Sequence, residues 1–349
     1  MVAELVDYVV GVDTHRDEHT LALVEAATGA VVAQRTIASN GRGYAQALRF
    51  AQQHAGTARV WALEGAGHYG AGLARYLRER SETVLEVGRS PRGERRLRGK
   101  DDRLDAIRAA RSALTSEPLP RPRSGEQLEA LRLLLLARRS AVDVRREALV
   151  QLRSVIVTAP DRLRDELRGL PLARLLERCR RLRQSKTAAP DELAARLVLR
   201  TLARRIEAAT DEAAELEGEI LAIVRMQAPR LLEEPGVGPI VAAQLLVSWS
   251  HPGRLRSEAA FARLAGVAPV PASSGQTSRH RLSRGGDRQL NRALHTIVLH
   301  RRQHDPATRD YVARRTAEGK SRREATRLLK RYLARHLFRL LQNEEALIA

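Results

Sequence analysis

Four carboxylates stand out by where they fall. Asp13 closes the apolar run Val9-Val10-Gly11-Val12-Asp13-Thr14-His15, and Glu64 closes Trp61-Ala62-Leu63-Glu64. Short apolar runs of this kind read as buried strands. A carboxylate at the C-terminal end of such a strand faces the crevice where α/β sheets bind ligands. Asp102 and Asp105 lie in Lys100-Asp101-Asp102-Arg103-Leu104-Asp105, three apart, and so share one face of a helix. Four acids meeting at one point repel each other unless a cation sits among them. Oxygen donors favour Mg²⁺ or Mn²⁺, and two such ions can clamp the attacking and leaving oxygens of a phosphodiester. Taken singly, each acid has a plainer reading. Asp13 could close a turn, Asp102 could cap a helix with Asp105 in its first turn, and Glu64 could be a solvated strand end. Two acids that end apolar strands and two on one helical face, in a very basic chain, favour the metal site.

Two further clusters lie downstream. Glu234-Pro235-Gly236-Val237-Gly238-Pro239 stands between apolar helical stretches and matches a helix–hairpin–helix turn. Backbone N–H groups around Gly236 and Gly238 would bind a phosphate without reading sequence; a tight turn with no ligand is the alternative. The other cluster is Gly266-Val267-Ala268-Pro269 leading to Ser273-Ser274-Gly275, followed by Arg279, His280, Arg281, Arg284 and Arg288. A serine beside glycine in a polar loop is ordinary, but these arginines could hold a phosphate beside the Ser274 hydroxyl and place it for attack.

The elements that must position these groups alternate early in the chain. Strands are expected over Tyr8–Val12 and Arg59–Leu63, a hairpin over Leu21–Ala26 and Val31–Ile37 around Thr28-Gly29, and a strand over Val84–Val87. Helices are expected over Gly43–His54, Gly70–Arg80 and from near Asp102, after the basic stretch Arg89–Lys100. This order predicts an α/β fold of ribonuclease H type. The Pro- and Arg-rich stretch Glu117–Ser124 marks a boundary. Two heptad patterns follow, Leu128, Leu131, Leu135, Arg138, Val142, Arg145, Leu149, Leu152, Ile156 and then Leu199, Leu202, Ile206, Ala209, Ala213, Leu216, Ile220, Ile223. They predict coiled-coil helices, either an antiparallel hairpin or a dimerisation device. From Pro235 onward the chain reads as mostly α-helical, ending in a basic amphipathic helix near Ser321–Gln342. The expected division is a catalytic domain over 1–116, a linker with coiled-coil helices over 117–228, and a helical domain with the serine over 229–349.

Composition narrows the partners. The 349 residues hold 61 Lys+Arg against 41 Asp+Glu, a net charge of +20. Such an excess suits a polyanion. The only lysines are Lys100, Lys186, Lys320 and Lys330, so the positive charge is almost all arginine, whose planar fork matches phosphate. Aromatics are 3% of residues, so stacking on bases is not the main mode of binding. The single cysteine, Cys179, excludes an intrachain disulfide and a cysteine zinc site, and fits a reducing, cytoplasmic setting. The apolar run Leu133–Ala137 is too short to span a membrane, and Met1–Val10 lacks the pattern of a signal peptide.

Together these motifs resemble a family of bacterial insertion-sequence transposases with a DEDD acidic set, a RuvC-like N-terminal domain and a C-terminal domain carrying a serine. The resemblance spans nearly the whole chain. It rests on Gly11-x-Asp13, Glu64-Gly65, Lys100-x-Asp102-x-x-Asp105-Ala106, Pro235-Gly236-Val237-Gly238, and Gly266-x-x-Pro269 leading into Ser274-Gly275. It implies Mg²⁺ (or Mn²⁺) bound by Asp13, Glu64, Asp102 and Asp105, and Ser274 as a nucleophile that links covalently to DNA. It also implies an element-encoded guide RNA that pairs with donor and target DNA, a homo-oligomer (dimer or tetramer), and no membrane partner. Asp101 departs from the small polar residue usual in the family and adds an acid beside the site. Three other readings compete. One is a Holliday-junction-resolvase-like endonuclease using metal-activated water, and another is a nucleic-acid-binding protein without catalysis. The third is an actin-like ATPase, from Gly11-x-Asp13-Thr14, but no further Gly-rich phosphate loop follows a suitable strand.

Overall fold

The computed structural model describes residues 4–87, 102–115, 122, 125–183, 189–251, 253–271, 280–281 and 285–344. These divide into two compact units. One holds the chain to Ser124 together with Ser250–Arg256, and the other holds Gly125–Trp249 and Ser257–Ala349.

The first unit is built on a five-stranded sheet in the order β3-β2-β1-β4-β5. Its strands are β1 (Tyr8–Thr14), β2 (Glu18–Glu25), β3 (Val31–Ala38), β4 (Arg59–Glu64) and β5 (Val84–Val87). β1, β2 and β3 pair antiparallel as a meander, while β4 runs parallel to both β1 and β5. This is the expected ribonuclease H-like arrangement. Gly29, at φ +70°, makes the turn between β2 and β3.

Strand alternation sorts the two sheet faces. Val10, Val12, Leu21, Leu23, Trp61 and Leu63 point to one side, where they form a core with α1 (Gly41–His54) and α2 (Ala71–Arg78). Val9, Val24, Val60 and Ala62 point to the other, against Ala110, Ala113 and Leu114 of α3 (Asp102–Thr115). α3 buries a face of small residues, Ala106, Ala109, Ala110 and Ala113, and so lies close on the sheet. Asn40 caps α1, its side chain accepting from the Gly43 amide at 2.9 Å.

In the second unit, α4 (Glu126–Thr158) and α7 (Pro190–Gln227) lie antiparallel within one chain. The ion pair Arg138–Glu217 joins one end, and Leu152 and Ile156 meet Leu199, Leu202 and Ile206 at the other. Of the two arrangements left open by the heptads, this is the intrachain hairpin. The seam departs from the expected register in its middle, where Ala141 and Ala148 are buried in place of Val142 and Arg145. A straight helix drifts against a strict 3.5-residue repeat, and alanine lets the partner helix approach where it drifts. The short helices α5 (Asp161–Leu167) and α6 (Leu172–Arg180) close one end of the hairpin with Leu163, Leu167, Leu175 and Cys179.

The rest of the unit comprises α8 (Pro229–Glu233), α9 (Pro239–Trp249), α10 (Glu258–Leu264), α11 (Arg288–His304), α12 (Pro306–Ala317) and α13 (Arg322–Glu344). A two-stranded ribbon, β6 (Val270–Pro271) with β7 (His280–Arg281), stands between α10 and α11. Among the described residues no helix is long and apolar enough to cross a membrane.

Candidate metal centre

Asp13 lies one residue before the end of β1, and Glu64 ends β4. The two strands are parallel, with Val12 beside Leu63, so Asp13 and Glu64 come next, side by side. By alternation both share a face with Val9, Gly11, Val60 and Ala62, the face that α3 covers. Thr14 ties the strand ends together, its hydroxyl donating to the Glu64 carbonyl at 2.7 Å. Gly65 (φ +72°) turns the chain away immediately after.

α3 supplies the other two acids from its first turn. What seats it is Gly11, whose Cα faces the Ala106 carbonyl and the Ala110 amide with no room for a side chain. Asp102 and Asp105 are thereby brought to Asp13: both oppose its ionisation by charge repulsion. Burial is the larger influence, and it pushes the Asp13 carboxyl above the usual carboxylate range, with His15 pulling the other way. The Asp13 side chain is 13% exposed and Asp102 is 41% exposed. Asp105 is buried and accepts from Arg108 Nη1 at 2.7 Å.

Sequence reasoning missed His15 as a member of the site. Its Nε2 stands 3.2 Å from Asp13 Oδ2 and 3.4 Å from Asp102 Oδ1. The signal was present: His15 follows Asp13 by two, the period that returns a side chain to the same face of an extended chain. Arg108 was missed too; it follows Asp105 at helical spacing.

Asp13, His15 and Asp102 each offer a ligand atom, all within 4.8 Å of one another. Two carboxylates and an imidazole, with a buried acid kept from ionising freely, fit a divalent cation. Asp101 lies outside the described residues.

The other expected site residues fall in the second unit. Gly236 has φ +85° and turns the chain between α8 and α9 beside His300. Gly238 faces open space ahead of α9. The turn is held by Glu234, which accepts from Arg301 at 2.7 Å and contacts His336 at 2.8 Å, while Arg301 also donates to the Pro235 carbonyl. Arg281 belongs to β7, and Arg288 is exposed at the start of α11. Ser274, Arg279 and Arg284 lie outside the described residues. The ends of the segment that carries them are described. The Asp287 amide donates to Leu264 O at 2.7 Å, and Asn291 Nδ2 donates to Ala265 O at 2.6 Å. Lys330 Nζ donates to Asn291 Oδ1 at 2.7 Å, and Ser248 Oγ donates to Asp287 at 2.7 Å.

The chain is similar in sequence to known proteins. Residues 10–159 match the family profile of DEDD transposases of IS110 type, described as Transposase. Residues 228–313 match the profile described as Transposase IS116/IS110/IS902 family. The chain is 36% identical over 151 residues to the insertion element IS110 uncharacterized 43.6 kDa protein of Streptomyces coelicolor, a match covering 42% of this chain and 37% of that protein. It is 34% identical over 158 residues to the insertion element IS900 uncharacterized 42 kDa protein of Mycobacterium paratuberculosis, covering 44% and 39% respectively. The chain therefore aligns with less than half the length of either relative. With an N-terminal DEDD match over a ribonuclease H-like sheet and a second match to the same group in its helical region, the chain belongs to the IS110/IS116/IS902 family of transposases.

Proposed function

We propose that the protein is a DNA recombinase that moves an insertion element, cutting and rejoining DNA with a divalent-metal site and a serine nucleophile. The observation that carries this reading is the gathering of Asp13, His15, Asp102 and Asp105 beside the strand-ending Glu64, in a chain of net charge +20. A bound Mg²⁺ or Mn²⁺ would neutralise the scissile phosphate and polarise its oxygens. Asp13, Glu64, Asp102 and Asp105 would hold it, while Arg108 donates to Asp105 and orients it. Gly236 and Gly238, with Arg279, Arg281, Arg284 and Arg288, would contact the nucleic-acid backbone. The proposed division of labour is catalysis in 1–116, spacing and assembly in 117–228, and serine chemistry in 229–349.

Ser274 would attack phosphorus through Oγ. A bond from Oγ to phosphorus forms, the phosphodiester P–O bond breaks, and the serine proton goes to the departing DNA oxygen. A DNA hydroxyl then reverses the exchange, forming the new phosphodiester and freeing the serine. One ester replaces another at each step, so rejoining needs no external energy source. The family resemblance further supports an element-encoded guide RNA, donor and target DNA as substrates, a dimer or tetramer, and action in the cytoplasm.

The test is to denature a reaction in mid-course, in Mg²⁺ and in EDTA, and map any DNA-linked residue by mass spectrometry. A metal-dependent adduct on Ser274, lost in Ser274→Ala, is expected. Metal-dependent cutting without an adduct would move the assignment to a water-activating junction endonuclease. RNA guidance is tested separately: nuclease-treated protein should lose site-specific recombination and regain it with the element's noncoding RNA. Full site-specific activity without RNA would refute guidance.

A further inference from the structure

We infer that His15 is itself a ligand of the divalent cation, joining Asp13 and Asp102, and that its nitrogen tilts the site towards Mn²⁺ over Mg²⁺. This deepens the metal-assisted reading above and rests on it.

The geometry is that of a coordination edge. Nε2 of His15 lies 3.2 Å from Asp13 Oδ2 and 3.4 Å from Asp102 Oδ1. Neighbouring ligands on an octahedral ion with bonds of about 2.1 Å stand about 3.0 Å apart. A movement of a few tenths of an ångström would set all three atoms round one ion. The groups come from fixed supports. Asp13 is in β1, and the His15 amide donates to Glu18 O at 3.0 Å at the mouth of the β1–β2 hairpin. Asp102 is the first residue of α3, which is seated on Gly11.

His15 is not a packed core histidine: its side chain is 36% exposed, and its Nε2 faces the two carboxylates. One oxygen of Asp105 accepts from Arg108, and the imidazole of His15 adds a nitrogen to the carboxylate oxygens of Asp13 and Asp102. Mg²⁺ prefers oxygen ligands and retains water, whereas imidazole suits transition-metal ions, of which Mn²⁺ holds it least tightly but better than Mg²⁺ does. A site of oxygens alone would discriminate less.

The competing account of the same distances is an imidazolium that bridges the two acids in the metal-free protein and moves aside when metal enters. Electron spin-echo spectroscopy of bound Mn²⁺ separates the two. With full-length, nuclease-treated protein, wild type should show ¹⁴N modulation from a coordinated imidazole, and His15→Gln should lose it. Calorimetric titration with Mn²⁺ and Mg²⁺ should show the Mn²⁺ preference falling about tenfold or more in His15→Gln. The melting temperature in EDTA should be little changed. Mn²⁺ binding that depends on Asp13 but carries no ¹⁴N modulation, or modulation that persists in His15→Gln, would overturn the role of His15 and leave the metal site standing. No Mn²⁺ binding by wild type would overturn both.

Discussion

A β-carbon placed on Gly11 would lie 2.1 Å from the carbonyl oxygen of Ala106 and 2.6 Å from the amide nitrogen of Ala110. Backbone meets backbone there, so neither partner can swing away. Gly11→Ala must lift α3 from the sheet. The expected cost is about 2 kcal/mol or more, as for overpacked cores, read as a lower urea midpoint at unchanged slope. Divalent-metal affinity should fall with it, because Asp102 and Asp105 ride on α3. Gly41→Ala is the control: nothing lies within 4 Å of its would-be β-carbon. Equal stability of the two variants would disprove the account.

Glu82 should matter to the first unit beyond its own size. It accepts from Arg59 Nε at 3.0 Å and from the indole of buried Trp61 at 2.8 Å. Arg59 and Glu82 side chains are 8% and 11% exposed. Glu82→Ala would strand a buried guanidinium and an indole N–H, at a cost of about 3 kcal/mol. Arg59→Met with Glu82→Leu should recover part of that loss in chemical denaturation, because the paired substitution leaves no lone charge.

The turn before α9 should respond to acid. Burial opposes ionisation of Glu234, but the hydrogen bonds and charges of His336 and Arg301 outweigh it and hold the carboxyl below the usual range. The folded chain thus releases a proton that the unfolded chain keeps. Its contribution is complete above the ordinary carboxylate range and disappears as pH falls through the lowered folded value. Glu234→Gln should lower stability at pH 7 by about 1–2 kcal/mol and flatten the acid side of the stability curve. An acid limb identical to wild type would rule this out.

Cys179 should behave as a buried hydrophobe. Its surroundings, chiefly by burial and then by the charge of Glu166, push the thiol up to about 11. At pH 8 native protein should react with a thiol reagent about a hundredfold more slowly than protein unfolded in guanidinium. The linkage is opposite in sign to that of Glu234. The folded state keeps a proton that the unfolded state loses, so stability declines as pH rises from the ordinary thiol range towards 11. Rapid native labelling at pH 8 would contradict the packing at α6.

Much of this was legible in the chain itself. The strands ending at Asp13 and Glu64 announce themselves because a buried strand is a short apolar run and an acid at its end breaks the pattern. The helix carrying Asp102 and Asp105 shows through their spacing. Other features were hidden for physical reasons. Gly11 reads locally as a weak point in a strand; only the helix lying across it explains its fit. His15 was not singled out, because its partner Asp102 is far along the chain. The heptads fixed that α4 and α7 have apolar seams, but a regular repeat carries no record of where a straight helix drifts, so Ala141 and Ala148 were passed over for Val142 and Arg145.

The tied ends of the segment between Gly266 and Asp287 carry a consequence for how such proteins can diverge. Gly286 sits so close to Leu264 that a β-carbon would lie 2.4 Å from its carbonyl oxygen, and Asn291 and Lys330 brace the same point. Residues 264–266 and 286–291 are clamped to one another, so the two ends of the chain between them are fixed at one point of the helical unit. Lengthening a closed loop costs only the logarithm of its length, roughly 0.6 kcal/mol per doubling. Changes of length between these two ends can therefore be absorbed while α10, α11 and α13 keep their packing. Asp13, on the strand seated against α3, has no such latitude.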